Sequence, residues 1–159
     1  MRNDQLHIFA VTFLASAALL ILGGTLHGQP NPVKWEVSSS QPIATLKAGS
    51  TTTVKITAQI APDWYIYSMK PSKNGPIATN IRVPEGQGFK LAGRISGPRP
   101  TVKFDPSFGI NVETYTGTVV FSVPIRATSV SPSGLRLKTS VQACNGQICL
   151  SPKTVTLSL

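Results

Sequence analysis

Charged and catalytic side chains are scarce in this sequence of 159 residues. Only 13% of the residues are charged, and the chain holds two histidines, six acidic residues and two cysteines. This inventory leaves few ways to assemble a metal site or a catalytic triad, and the sequence contains no glycine-rich phosphate-binding loop. We therefore predict no cofactor and no bound metal. The chain is also too short for two ordinary domains, so we expect one domain whose chemistry uses few groups.

Turn-forming residues and alternating apolar residues dominate the chain after residue 30. Its 13 glycines and 13 prolines argue against a helical bundle, and its hydrophobic content of 41% argues against a disordered chain. Apolar residues alternate with polar ones over 54–60, 119–125, 135–143 and 155–159. Turn signals separate these runs at Pro62-Asp63, Asn74-Gly75-Pro76, Pro84-Glu85-Gly86, Gly97-Pro98 and Ser131-Pro132-Ser133-Gly134. The pattern predicts an all-β fold, an immunoglobulin-like antiparallel β-sandwich of about seven to nine strands.

The N-terminal segment carries an export or membrane signal. No charged residue lies between Asp4 and Lys34, and residues 6–24 are mostly apolar. A basic start at Arg2 and an apolar centre are typical of a signal peptide, with cleavage near Gly28. The apolar stretch also approaches the roughly 17 to 25 residues that a membrane-spanning helix needs. The segment is thus either a cleaved signal peptide or an uncleaved signal anchor helix in the inner membrane.

This segment sets the predicted domain boundary, and the net charge bears on the kind of partner. We assign residues 1–29 to the signal or anchor and residues 30–159 to the exported domain. The whole chain has a net charge of +9, and its basic residues are spread singly rather than clustered. Export and this dispersion argue against a nucleic-acid partner and favour a basic, solvated surface.

Both cysteines lie close together near the end of the chain. Four residues separate Cys144 from Cys149, and they include Asn145-Gly146, a dipeptide that tolerates positive φ in tight reversals. We predict a hairpin whose facing Cα atoms lie roughly 4.5 to 5.5 Å apart, within reach of a disulfide.

The cysteine pair is either a structural disulfide or an exchangeable dithiol. On the chain-entropy model, closing so short a loop stabilises the fold by only about 2 kcal/mol, which makes the pair a poor staple. Cys144 also shares its strand parity with Arg136, Lys138 and Ser140, so we expect an accessible thiol on the polar face. From the cysteines alone the two interpretations remain equal.

Four motifs in order resemble the amino-terminal domain of the thiol:disulfide interchange protein DsbD family. They are WYIYS at 64–68, FG at 108–109 with E-x-Y-x-G at 113–117, VPI at 123–125, and AC to CLSP at 143–152. The resemblance runs from Val33 to Leu159. It implies an immunoglobulin-like periplasmic domain, a protein thiol-disulfide oxidoreductase, whose cysteine pair passes reducing equivalents to exported partner proteins.

The resemblance also implies roles for individual residues of the site. By it, Cys149 forms the mixed disulfide with partners and Cys144 resolves it. A loop at 105–110 covers the pair, with Phe108 as its shield, although the family's shielding aromatic aligns one position earlier, at Ser107. We therefore predict a shifted register for the cap.

Three further residues align with positions near the family's cysteine pair. Asp105 matches an acidic residue, but Pro106 stands where the family has a second acid, which weakens the expectation of acid-assisted proton handling. Tyr65 and Tyr67 match tyrosines. The residues themselves leave other interpretations open. Asp105 is by default a surface acid, and for Trp64 and the two tyrosines a core or sheet-face role competes evenly with lining the cysteine site.

The expected partners follow from the same resemblance. Full-length DsbD continues into a membrane-embedded segment and a thioredoxin-like domain, whereas this sequence ends at Leu159. We therefore expect a separate membrane-embedded reductase as electron donor and exported thioredoxin-fold proteins as partners. The alternative function is a non-catalytic, membrane-anchored immunoglobulin-like binding module with a structural disulfide.

Overall fold

The computed structural model describes residues 31–129 and 134–159. The predicted signal or anchor segment, residues 1–29, and most of the predicted turn at 131–134 lie outside the described residues. Among the residues that are described, no helix has the length and apolar character needed to cross a bilayer.

Short antiparallel strands form the described part of the chain. The eleven strands are β1 Val33–Ser39, β2 Thr51–Ile60, β3 Trp64–Tyr67, β4 Asn80–Arg82, β5 Phe89–Leu91, β6 Thr101–Asp105, β7 Ile110–Tyr115, β8 Thr118–Ala127, β9 Arg136–Val141, β10 Ala143–Asn145 and β11 Lys153–Ser158. A single 3-10 turn in these residues spans Ile43–Thr45. The predicted all-β, immunoglobulin-like class is confirmed. The strand count exceeds the prediction because β4, β5 and β10 have three residues each, too few to show alternation.

The strands pair in three sheets. Their orders are β1-β2-β8-β5, β10-β3-β7-β6 and β11-β9-β4. The main core is centred on β2 and β8, where Val54 faces Val123 and Ile56 faces Phe121 across the strand pair. All four side chains are fully buried, which confirms the alternation predicted for these strands. Burying each side chain stabilises the fold by roughly 1.5 to 3 kcal/mol.

The run from 135 to 143, predicted as one strand, is divided between two sheets. β9 ends at Val141 and pairs with β11 and β4, whereas β10 begins at Ala143 and pairs with β3. The chain crosses between the sheets at Gln142, and the two-residue period still places Ala143 in the main core with Leu137 and Val141. Cys144 lies on the opposite face, which Tyr65, Tyr67 and Val112 cover. Ala143 and Cys144, consecutive in sequence, are both buried. The predicted exposure of Cys144 on the polar face is therefore wrong.

A second, smaller core lies in the sheet that contains β10, β3, β7 and β6. Its buried members are Tyr65, Tyr67, Val112 and Cys144. Phe108, Ile110 and Cys149 pack against them, partly buried. Both cysteines thus belong to this small aromatic cluster and not to the main core.

A tight turn joins β6 to β7 beside this cluster. The Gly109 N–H donates to the Asp105 carbonyl at 2.8 Å, and the Ser107 N–H donates to Asp105 Oδ1 at 2.9 Å. Gly109 has a φ of 66°, in the left-handed region that glycine adopts without strain. The turn places the Asp105 carboxyl group inside the domain and brings Phe108 against the cluster.

Candidate functional site

The two cysteines are joined in a disulfide at the base of a hairpin. Their Cα atoms lie 4.1 Å apart, and the two residues form an antiparallel bridge. The Leu150 N–H donates to the Ala143 carbonyl at 2.9 Å on the far side of the bridge. The predicted hairpin is present, although its Cα atoms are closer than the prediction, and its ends are held by backbone hydrogen bonds as well as by the sulfur atoms.

The tip of the hairpin is stabilised differently from the prediction. Neither Asn145 nor Gly146 has a positive φ. Instead, the Asn145 side-chain oxygen accepts hydrogen bonds from the N–H groups of Gln147, at 3.1 Å, and Ile148, at 3.0 Å. The asparagine side chain therefore organises the turn for which the sequence predicted left-handed backbone.

The two sulfur atoms differ in access to solvent. Cys144 is 0% exposed, whereas Cys149 is half-buried. Cys144 lies opposite Tyr65 in the β10 and β3 pair, beneath the aromatic cluster. Cys149 follows the hairpin tip and is the more exposed residue of the pair.

Tyr67 connects the disulfide to a buried carboxylate. Its hydroxyl donates to Asp105 Oδ2 at 2.7 Å and lies 3.1 Å from Cys144 Sγ and 3.8 Å from Cys149 Sγ. Burial raises the pKa of Tyr67 far above its usual value, and the hydrogen bond to Asp105 raises it further. The hydroxyl is therefore a protonated donor at neutral pH.

Asp105 is fully buried, so its interpretation as a surface acid is wrong. Besides the Tyr67 hydroxyl and the Ser107 N–H, its carboxylate accepts a hydrogen bond from the Tyr65 hydroxyl at 3.2 Å. Burial also raises the pKa of Tyr65. The structure thus brings Asp105, both tyrosines and Cys144 together, as the sequence resemblance implied, and three neutral donors solvate the carboxylate.

Phe108 lies at the edge of this cluster. Its ring packs edge-to-face on Tyr67 with the ring centroids 6.2 Å apart, and it is half-buried. It belongs to the same apolar cluster as Cys149. Phe108 therefore packs beside the disulfide, and its role as a cap stays a prediction.

Lys103 is a site residue that sequence reasoning missed. Its Nζ atom lies 3.0 Å from the centroid of the Tyr65 ring. Burial lowers the pKa of Lys103, while the charge of Asp105 acts in the opposite direction. The signal was present in the sequence, since Lys103 and Asp105 are two positions apart in β6 and therefore share a face.

A cleft of about 380 Å³ lies beside the cysteine hairpin. It is lined by Ile60, Ala61, Pro62, Asp63, Trp64, Tyr65, Lys103, Thr116, Gly117 and Gly146. Trp64 therefore lines this cleft, and it also packs partly buried against the main core. Among the described residues, no group of three or more histidines, cysteines or acids is arranged to hold a metal ion.

The fold and the site define a β-domain that carries a hairpin disulfide against a buried tyrosine and carboxylate cluster. The family model described as thiol:disulfide interchange protein DsbD, N-terminal, matches residues 36–159. The chain belongs to this family, whose chemistry is thiol-disulfide exchange. A comparison with curated proteins finds no match.

Two solved structures show the same fold. The DsbD N-terminal domain of Neisseria meningitidis, in the reduced form, is 18% identical with a TM-score of 0.50, covering 73% of this chain and 79% of that one. The N-terminal periplasmic domain of ScsB from Proteus mirabilis is 18% identical with a TM-score of 0.57, covering 82% of this chain. The chain spans 47% of the ScsB domain, about half of its length.

Proposed function

We propose that this domain is a periplasmic thiol-disulfide oxidoreductase that passes reducing equivalents to exported partner proteins through Cys144 and Cys149. The observation that carries the proposal is the asymmetry of the pair. Cys149 is half-buried at the hairpin, and it is bonded to a fully buried Cys144 that touches the Tyr67 hydroxyl. An attacking thiol needs access to its partner, whereas a resolving thiol needs only its neighbour.

The proposed reaction starts from the reduced pair. The Cys149 thiolate attacks one sulfur of a partner disulfide, forming a mixed disulfide and releasing the second partner sulfur as a thiolate that takes up a proton. The Cys144 thiolate then attacks Cys149 Sγ, which restores the internal disulfide and expels the first partner sulfur. Two electrons and two protons pass to the partner in total.

The buried network offers a place for the proton of Cys144. The Tyr67 hydroxyl lies between Cys144 Sγ and Asp105 Oδ2. A proton that leaves Cys144 reaches the Asp105 carboxylate by transfer through this hydroxyl, and the hydroxyl itself neither gains nor loses a proton. When Cys144 expels the partner sulfur, Asp105 gives up this proton and the expelled thiolate takes one up, so the carboxylate is restored. The network therefore supports for Asp105 the acceptor role that its family alignment suggested, without the second acid that Pro106 replaces.

The proposal extends to partners and location. Thioredoxin-fold exported proteins are the expected acceptors, and a membrane-embedded reductase is the expected donor, because the described domain carries one cysteine pair that must be reduced again after each turnover. Residues 1–29 act as the signal peptide or anchor that delivers residues 30–159 to the periplasm. The periplasmic location of the ScsB domain supports this placement.

The reduction potential of the purified protein tests the proposed function. The protein is equilibrated in a series of thiol redox buffers, and the oxidised fraction is read by alkylation and mass shift. A potential in the range of exchange proteins, roughly −120 to −270 mV, together with rapid reduction by a thioredoxin, supports the proposal. A pair that stays oxidised in strongly reducing buffer, below roughly −300 mV, assigns the disulfide to structure and the domain to binding.

A further inference from the structure

A lysine from outside the aligned family motifs contacts the tyrosine cluster. The ammonium of Lys103 lies 3.0 Å above the Tyr65 ring, and its side chain is half-buried. A cation over an aromatic face within about 6 Å of the centroid is attracted by the ring quadrupole, and partial burial strengthens that attraction. The contact fixes both the lysine and the plane of the ring.

Tyr65 links this ammonium to the cysteine pair. Its hydroxyl donates to Asp105 Oδ2 at 3.2 Å, while its backbone lies opposite Cys144 in the β3 and β10 pair. Lys103 and Asp105 are both on β6, with side chains on the same face of the strand. The ring of Tyr65 is therefore held between a positive group and a negative group that come from one strand.

The charges explain why a cation is useful here. The hydrogen-bond donors of the buried Asp105 carboxylate are neutral: the Tyr65 and Tyr67 hydroxyls and the Ser107 N–H. A full negative charge beside Cys144 opposes formation of a thiolate in the same pocket. Lys103 interacts electrostatically with Asp105, so its charge reduces that opposition.

We propose that Lys103 is a positioning residue for disulfide exchange. Its ammonium holds the Tyr65 ring so that the hydroxyl stays on Asp105, and it offsets the carboxylate charge that would otherwise disfavour a thiolate at the cysteine pair. Other titratable groups facing this cluster are Tyr67 on β3 and the cysteines of the hairpin. The inference rests on the proposed function, because it concerns the reactivity of the reduced pair.

Alkylation of the reduced protein tests this role. The full chain is reduced with dithiothreitol, freed of reductant and treated with iodoacetamide at pH 7, and mass spectrometry of peptides follows the Cys149 adduct. Lys103→Met keeps the length of the side chain and removes the charge, and we expect alkylation about threefold to tenfold slower. Lys103→Arg keeps a cation over the ring, and we expect a rate within about twofold of the unsubstituted chain.

A matched control distinguishes the local effect of the Lys103 charge from the effect of the protein's net charge. Lys138 is also half-buried, but it lies on β9 in another sheet. Lys138→Met loses the same unit of charge, and we expect its alkylation rate to stay within about twofold. Equal slowing by both substitutions would show that only the overall charge matters and would overturn the proposed role.

Two further comparisons keep the test decisive. In an Asp105→Asn background there is no carboxylate charge to offset, so Lys103→Met should slow alkylation less than it does alone. Three outcomes would contradict the inference. Lys103→Met slows alkylation equally in both backgrounds, it leaves the alkylation rate unchanged, or Lys103→Arg slows alkylation as much as Lys103→Met does. If Lys103→Met loses the near-ultraviolet circular dichroism of the folded protein, Lys103→Gln replaces it with the same expectation.

The outcome for the unsubstituted chain distinguishes this inference from the proposed function. If the disulfide resists a strong reductant, both the proposed function and the proposed role of Lys103 are wrong. If the pair is reducible but its alkylation rate does not depend on Lys103, only the role of the lysine is wrong, and the exchange function is unaffected.

Discussion

The Tyr67 hydroxyl lies 3.1 Å from the Sγ atom of Cys144. The same hydroxyl donates to Asp105 at 2.7 Å, and a single hydroxyl hydrogen serves one acceptor at a time. With the disulfide closed, the carboxylate is the stronger acceptor. Once the disulfide is open, a Cys144 thiolate competes with the carboxylate for the same hydrogen. We therefore expect the hydrogen-bond acceptor of Tyr67 to change with the redox state of the pair.

Removing the Tyr67 hydroxyl should affect both stability and resolution. Tyr67→Phe leaves the buried Asp105 without its shortest side-chain donor, so the free energy of unfolding should fall by about 1 to 3 kcal/mol. The mixed disulfide with a model peptide should also persist at least about threefold longer, because Cys144 loses its proton contact. Chemical denaturation and quenched-flow mass spectrometry measure the two effects. Tyr65→Phe is the control, with smaller effects expected because its bond to Asp105 is longer, at 3.2 Å. Equal effects from both tyrosines would contradict the special position of Tyr67.

The two cysteines should behave oppositely in trapping experiments. Cys144→Ala leaves the accessible Cys149 able to form a mixed disulfide that nothing resolves, so partner adducts should accumulate in periplasmic extracts. Cys149→Ala leaves only the buried Cys144, and adducts should be absent. Non-reducing gels followed by mass spectrometry give the readout. The reverse pattern would exchange the roles assigned to the two residues.

Phe108 should slow access to the reduced pair. Because its ring packs on Tyr67 beside Cys149, Phe108→Ala should speed alkylation of the reduced protein by about threefold or more. Phe104→Ala is the matched control, since Phe104 is on the same hairpin but is 61% exposed on the opposite face of β6. We expect that control to react at the unsubstituted rate. If Phe108→Ala does so too, the capping role is wrong.

Stability should decline at alkaline pH. Burial and the bond to Asp105 raise the pKa of Tyr67 above its ordinary value of 10.0. The unfolded chain therefore releases the phenol proton near pH 10 while the folded chain retains it, so the stabilisation present below pH 10 is lost as the pH rises further. Urea denaturation between pH 8 and pH 11 should show this decline, and Tyr67→Phe should show a shallower one. Tyr65 and Tyr115, whose pKa values are also raised, add to this slope, whereas the lowered pKa of Lys103 acts in the opposite direction. An identical pH profile in Tyr67→Phe would show that Tyr67 does not cause the loss of stability at alkaline pH.

A chain that starts at residue 30 should fold as a soluble domain. Pro32 is buried, and its carbonyl accepts a hydrogen bond from the Ala61 N–H at 2.8 Å, so residues 30–159 retain every contact that β1 makes within the described residues. We expect the thermal unfolding midpoint of this fragment to lie within about 3 °C of that of a fragment starting at residue 28. A start at residue 35 removes Val33 and Pro32 and should lower the midpoint clearly. If residues 30–159 do not fold, the predicted domain boundary at residue 30 is wrong.

The main strands were predictable because their chemistry is local. In β2 and β8, each buried residue is followed by a more exposed one, and the period of two survives over ten residues in each strand. The cysteine hairpin was predictable for the same reason, since its six residues contain both the bridge and the turn. The hairpin sequence did not indicate that Asn145 stabilises the turn through its side-chain oxygen.

The burial of the site was not predictable from local pattern. Cys144 lies on the face opposite Ala143, as its parity predicts, but Tyr65, Tyr67 and Val112 from distant parts of the chain cover that face. Asp105 is buried because two tyrosines from β3, about 40 residues earlier, reach its carboxylate. A single sequence does not encode that long-range pairing in any short pattern, and the family resemblance supplied it instead.

The short loop closed by the disulfide has a consequence for turnover. The two cysteines are five positions apart, and neither contributes to the main core of β2 and β8. Opening the bond therefore frees little chain, at a cost of about 2 kcal/mol on the loop-entropy account. In the proposed function, this separates the redox chemistry of the cysteine pair from folding, so repeated reduction and reoxidation should leave the β-sheets intact.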